Sequence, residues 1–182
     1  MDNATTPTRP ISLILIAVTA ILAGGFIGAT TNAINGSVSP NYFRNVMGWD
    51  DVQQIWRACI AQGIFEGLIY GVFFAFVFTL VAGIVSRARC PYWYAAWHLL
   101  VMVLTIYGCW FLGGLIAMSL ATLSPEFYRN TFFRVPDEFG LMLRYAWVGG
   151  SIWGAMFGSL LTLAIGSILF ANHWKSRMVS EV

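Results

Sequence analysis

Residues 39–45 read Ser-Pro-Asn-Tyr-Phe-Arg-Asn, and residues 124–130, 85 positions later, read Ser-Pro-Glu-Phe-Tyr-Arg-Asn. The correspondence extends in both directions. Past a two-residue slip the offset becomes 87: Asp50-Asp51 is answered by Asp137-Glu138, and Arg57 by Arg144. Gly63, Gly67 and Gly71 are answered at the same offset by Gly150, Gly154 and Gly158. Upstream, Gly24-Gly25 reads as the counterpart of Gly113-Gly114, at an offset of 89. Several coincidences in one order mark an internal duplication.

Hydropathy says what has been duplicated. Of the 182 residues, 58% are hydrophobic and 10% charged, with a mean hydropathy of +0.71. A soluble domain has about 45–50% apolar and about 25% charged residues. This chain cannot cover a water-facing surface, which excludes a soluble globular or a disordered protein. A spanning helix needs about 20 mainly apolar residues, and four stretches qualify, at about 11–33, 56–85, 93–123 and 141–171. A signal-peptide reading of the first competes, with Arg9 before it and small residues near Ala29–Ala33, but the duplication needs this segment as a helix. The repeating unit is span, loop, span, and each copy starts on the same side. The expected fold is an all-α integral membrane protein. Its four transmembrane helices form two parallel helical-hairpin repeats, residues 1–88 and 89–182, related by a pseudo-twofold along the membrane normal.

In each loop, serine followed by proline is an N-cap followed by a first-turn residue, which starts a helix. Gly48 suits the end of the first such helix. The pairs Tyr42-Phe43 and Phe127-Tyr128 are expected against the bilayer surface, with Arg44 and Arg129 facing phosphates, water or a partner. Asp50 with Gln53 reads as a capping box for the second span, and Pro136 as a first-turn residue of the fourth. Asn35-Gly36-Ser37 matches a glycosylation sequon, meaningful only in a secretory context. Trp49, Trp56, Trp93 and Trp174 stand where aromatic belts anchor spans.

Four spans put both termini on one side. The segments on that side hold Arg9, Arg87, Arg89, Lys175 and Arg177; the other side holds Arg44, Arg57, Arg129, Arg134 and Arg144. The counts are equal, but the first set is denser and the second is offset by acidic residues. By the positive-inside rule the N- and C-termini are expected in the cytoplasm, in a bacterial-type inner membrane.

Gly63, Gly67 and Gly71 share one helix face, as do Gly150, Gly154 and Gly158. In lipid, small residues let backbones approach. The first expectation is a seam of span two against span four; the second is a face for another protomer or subunit. Gly24, Gly25, Gly113 and Gly114 would admit a neighbouring helix in spans one and three. Arg57 and Arg144 sit at headgroup depth, where they anchor the helix or bind lipid phosphate.

Glu66 is different. It lies 9 residues beyond Arg57, about 13 Å deeper at 1.5 Å per residue. A carboxylate there is expensive and marks ion pathways or proton relays. The competing reading is a neutral glutamate holding helices together through Tyr107, Ser151 or Thr30. Its counterpart in the second copy is Trp153, so the acid is not duplicated.

His98 and His173 read as ordinary interfacial histidines, and Cys59, Cys90 and Cys109 pair with nothing by depth. No cofactor, metal cluster or disulfide is expected. The net charge of +2 carries no basic tract, so nucleic acid is excluded as a partner. No phosphate loop, zinc helix or nucleophile elbow occurs, and one buried acid is too little for intramembrane catalysis. The primary expectation is therefore a non-catalytic multi-pass membrane subunit, surrounded by lipid. It would associate with copies of itself or other membrane subunits through its glycine faces and loop helices. The alternative is a small channel or proton/cation-coupled transporter using Glu66.

Overall fold

A computed structural model describes residues 8–180. The outermost positions of the two expected hairpins, 1–7 and 181–182, lie outside the described residues. Six helices follow in order: α1 (Pro10–Val38), α2 (Pro40–Met47), α3 (Ile55–Ser86), α4 (Tyr92–Leu123), α5 (Pro125–Thr131) and α6 (Phe139–Ser180). Among the described residues there is no strand. α1, α3, α4 and α6 are each long and apolar enough to cross a membrane.

The boundaries have local causes. Proline opens α1, α2 and α5, at positions whose N–H would have no intrahelical partner. Gly48 ends α2 with φ at 67°, left-handed backbone that glycine adopts without strain. The turn after α3 uses positive φ at Arg87 and Ala88. It is tied to the start of the chain by the Arg9 N–H, which donates to the Ala88 carbonyl at 2.6 Å.

Several local expectations change. α1 continues to Val38 and α6 runs from Phe139 to Ser180, both longer than their apolar stretches. Helical hydrogen bonding does not stop where hydropathy falls. Asn35 consequently lies inside α1, fully buried, so the sequon is in no loop and has no room for a glycan. Asp50 and Gln53 form no capping box: α3 starts behind Gln54, which makes no side-chain cap bond. Ser39 holds the N-cap position of α2 without a side-chain cap bond. Pro136 precedes α6 instead of lying in its first turn.

α1 packs along α3 and α4 along α6, while α3 meets α6 and α1 meets α4, closing a ring in the order α1–α3–α6–α4. The glycine rows lie within the two hairpins. A Cβ on Gly63 would come within 2.7 Å of the Gly28 carbonyl carbon, and one on Gly67 within 2.9 Å of the Gly24 carbonyl carbon. A Cβ on Gly150 would reach the Gly113 carbonyl, and one on Gly154 the Cys109 carbonyl. The seam of span two against span four is thus corrected: the stripes of α3 and α6 are covered by α1 and α4. Consecutive antiparallel helices meet over their whole length, and close approach there gains the most van der Waals contact. Gly24 and Gly113 have matching surroundings: a Cβ on Gly24 would come within 2.8 Å of Gly71 Cα, and one on Gly113 within 2.8 Å of Gly154 Cα.

Two apolar clusters fill the bundle. One lies toward the end carrying Arg9 and the α3–α4 turn and contains Ile16, Phe78, Leu99 and Phe170. The other lies toward the end carrying α2 and α5 and contains Phe43, Cys59, Met142 and Tyr145. Trp174, expected as a membrane anchor, is 7% exposed and belongs to the first cluster, with its ring 5.5 Å from that of Tyr94. Trp93 is 80% exposed.

Candidate functional site

Between the two clusters lies a cavity of about 210 Å³, lined by all four long helices. Its walls are mostly apolar: glycine and alanine from α1, Phe74 from α3, Met102 and Ile106 from α4, Ile152 and Met156 from α6. The polar lining is Glu66 and Tyr70 on α3, Thr31, Asn32 and Asn35 on α1, and Ser159 on α6, with Trp110 on α4. No basic side chain lines it among the described residues.

Glu66 is half-buried. Its Oε1 accepts a hydrogen bond from Gln62 Nε2 at 2.6 Å, one turn earlier on the same helix. The partners expected from sequence are engaged elsewhere. Thr30 and Tyr107 share a hydroxyl–hydroxyl bond of 2.6 Å, and Ser151 Oγ lies 3.1 Å from Asn35 Oδ1. The acid therefore faces a low-dielectric space with a neutral donor and no counter-charge among the lining groups. In such a space a cation or a proton is its natural complement.

Asn35 and Trp110 add unpartnered polarity to the same wall: Asn35 Nδ2 and Trp110 Nε1 are buried without a hydrogen-bond partner. Buried polar groups are normally paired. Sequence reading missed both residues. The available signal was Asn32 and Asn35, three residues apart on one face of an otherwise apolar helix.

The cavity is not shared equally by the two hairpins. Gly63, Glu66 and Tyr70 line it from α3, while the residues 87 positions on include Trp153 and Phe157, which are 51% and 60% exposed and stacked on each other. Ile152 and Met156 face the cavity in their place.

The loop residues have turned inward. Tyr42, Phe43 and Tyr128 are buried in the cluster beneath α2 and α5, and Phe127 alone of the two aromatic pairs is exposed, at 52%. The Tyr42 ring lies 4.9 Å from that of Tyr145. The Tyr42 phenol is held above its ordinary value, by burial first and then by the negative charge of Glu66. Burial and Tyr42 push Tyr128 up to about 12. Arg44, expected to face phosphate or a partner, donates to the carbonyls of Trp49, Asp50 and Val52, at 2.9 Å for Asp50. Arg129 donates to the Asp137 carbonyl at 2.6 Å. An arginine with several donors at the end of a short helix satisfies the carbonyls of the bend that follows. Arg57 and Arg144 are exposed.

The two histidines read from sequence as ordinary residues near one interface meet each other. His98 Nε2 on α4 lies 3.4 Å from His173 Nδ1 on α6. Among the described residues no group of three or more His, Cys, Asp or Glu is placed to hold a metal ion.

No protein-family model, curated protein or solved structure matches the chain.

Proposed function

We propose that this chain is a small membrane carrier that takes up a proton or a small cation at Glu66. The observation that supports the reading is the cavity of about 210 Å³ around that carboxylate, at mid-bundle. It is somewhat larger than the roughly 150 Å³ apolar cavity that holds benzene. Tyr70, Phe74 and Trp110 are among the residues lining the cavity around Glu66, and aromatic rings are side chains that attract cations. Packed clusters on both sides of the cavity favour a carrier with alternating access over an open channel.

In this reading the two hairpins are tandem repeats, supported by the sequence offsets of 85 in the loops and 87 in α3/α6 and by the matching surroundings of Gly24 and Gly113. Asymmetry at the cavity then follows from Glu66 being replaced by Trp153 in the second copy. α2 and α5 lie at the membrane surface, and the termini face the cytoplasm of a bacterial-type membrane.

Reconstitution tests the proposal. Protein in liposomes loaded with a pH-sensitive dye should couple proton movement to an imposed gradient of potassium or tetramethylammonium. Glu66→Gln should bring that movement to the level of empty liposomes while the helical content and melting temperature stay unchanged. Equal flux from the variant, or none from the wild type, overturns the carrier reading. The competing reading is a non-catalytic membrane subunit. With the glycine rows and loop arginines engaged within the chain, it rests on the exposed apolar faces. Stoichiometric foreign subunits in native mass spectrometry would favour it.

A further inference from the structure

We propose that His98 and His173 form a two-imidazole site for a borderline divalent transition-metal ion, with zinc as the probe, clasping α4 to α6. The two residues are 75 positions apart, and their ring nitrogens meet at 3.4 Å. Zinc–nitrogen bonds of about 2.0–2.1 Å in tetrahedral geometry place two ligand nitrogens roughly 3.3–3.4 Å apart, so the separation already matches one edge of that tetrahedron.

The protonation pattern fits the same role. His98 Nδ1 lies 2.9 Å from the Tyr94 carbonyl oxygen. A carbonyl only accepts, so Nδ1 carries the proton and Nε2 presents its lone pair toward His173. Metal-ligating histidines are oriented in this way, one nitrogen donating to a carbonyl or carboxylate and the other on the metal. The His98 ring is further fixed by edge contact with Phe170 at 5.2 Å and by Tyr94 at 4.9 Å. His173 is exposed, which leaves the remaining coordination positions to water or an incoming ligand. A mostly apolar cavity of about 270 Å³, lined in part by Trp97, Val101 and Leu169, adjoins the pair. Imidazole suits zinc, copper and nickel, whereas calcium and magnesium prefer oxygen donors. An ion bound only by the folded hairpin stabilises it in proportion to occupancy.

The experiment uses full-length protein without a polyhistidine tag, in detergent micelles, with zinc chloride as the added metal. Equilibrium dialysis should give one zinc per chain at micromolar free zinc. His98→Gln and His173→Gln should each weaken binding by about tenfold or more, since loss of an outer-shell partner alone costs that much. Zinc should raise the melting temperature of the wild type, and do so distinctly less in either variant at the same free zinc. Cobalt(II) added to the wild type gives a readout needing no variant, a visible absorption band from nitrogen ligation. No zinc uptake by the wild type overturns the proposal and leaves the two imidazoles as a plain hydrogen-bonded pair. So does stoichiometric zinc retained by both variants, which would put the metal elsewhere, and so does a cobalt sample without the band.

Discussion

Gly28 and Gly63 cross with only backbone between them: a Cβ added to either would come within 2.7 Å of the other's carbonyl carbon. Neither atom belongs to a flexible side chain, so the helices themselves must separate. Gly28→Val is expected to destabilise the protein by roughly 1–3 kcal/mol, the range for overpacking. Gly108, on α4, has nothing within 4 Å of an added Cβ, and Gly108→Ala should be neutral or slightly stabilising, because alanine is the better helix former. Thermal unfolding of both variants in the same micelle checks the pair. Equal melting temperatures would mean that the close approach is not what holds α1 to α3.

Among the described residues, polar contacts between the hairpins include Asn35 with Ser151, Thr30 with Tyr107, Thr19 Oγ1 at 3.0 Å from Tyr92 Oη, and Asn45 Nδ2, which donates to the Arg134 carbonyl at 2.8 Å. Ser151→Ala leaves the buried Asn35 amide with a second unpaired atom and should cost about 1–3 kcal/mol. Tyr107→Phe, where Thr30 keeps bonds to the Phe26 and Ile27 carbonyls, should cost only about 0.5–1.5 kcal/mol. Urea titration would separate them, and a larger loss from Tyr107→Phe would invert this ranking.

Arg44 and Arg129 act within their own loops. The double variant Arg44→Ala with Arg129→Ala should speed limited proteolysis across residues 48–54 and 132–138, where the released carbonyls lie. Affinity for vesicles containing anionic lipid should change little. Weaker vesicle binding without faster cleavage would restore the headgroup role.

Cys90 lies in the turn between α3 and α4, fully buried, with its thiol pushed up from 9.0 to about 11 by burial, against smaller lowering effects of the Ala95 backbone, Arg177 and Arg9. Two pH units leave about a hundredfold less thiolate than an ordinary thiol at neutral pH. Alkylation by iodoacetamide at pH 8 should be correspondingly slow in the folded protein and fast after denaturation. The linked stability has a definite sign. The neutral thiol is favoured in the folded state, so its contribution is complete below about pH 9 and is lost as pH rises through about 11. Cys90→Ser, whose hydroxyl stays neutral across that range, should flatten the decline; an unchanged profile would assign it to other groups.

Much of this molecule was legible in one dimension. Four helices of spanning length follow from apolar runs of about 20 or more residues, because a helix is the structure that satisfies the backbone of such a run within itself in lipid. The short helices follow from Ser39-Pro40 and Ser124-Pro125, and the end of α2 follows from Gly48. Glu66 stood out as the one carboxylate deep in a span. Its surroundings did not, since Asn32, Asn35 and Trp110 read as ordinary polar and aromatic positions until a neighbouring helix leaves space beside them.

The sequence by itself therefore determined which segments are helices, roughly where they begin and end, and which residues carry unusual chemistry. All of these depend on local dihedrals, hydropathy and spacing. Only the tertiary structure decided that the glycine rows close each hairpin, that Arg44 and Arg129 fold back onto their own loops, and that Glu66 borders a cavity. It also turned two histidines near one interface, His98 and His173, into a direct contact at 3.4 Å. The physical reason is that a helix's periodicity specifies its faces but not which neighbour covers each of them. That choice is made by packing among four helices at once, where shape, small residues and a few buried hydrogen bonds decide together.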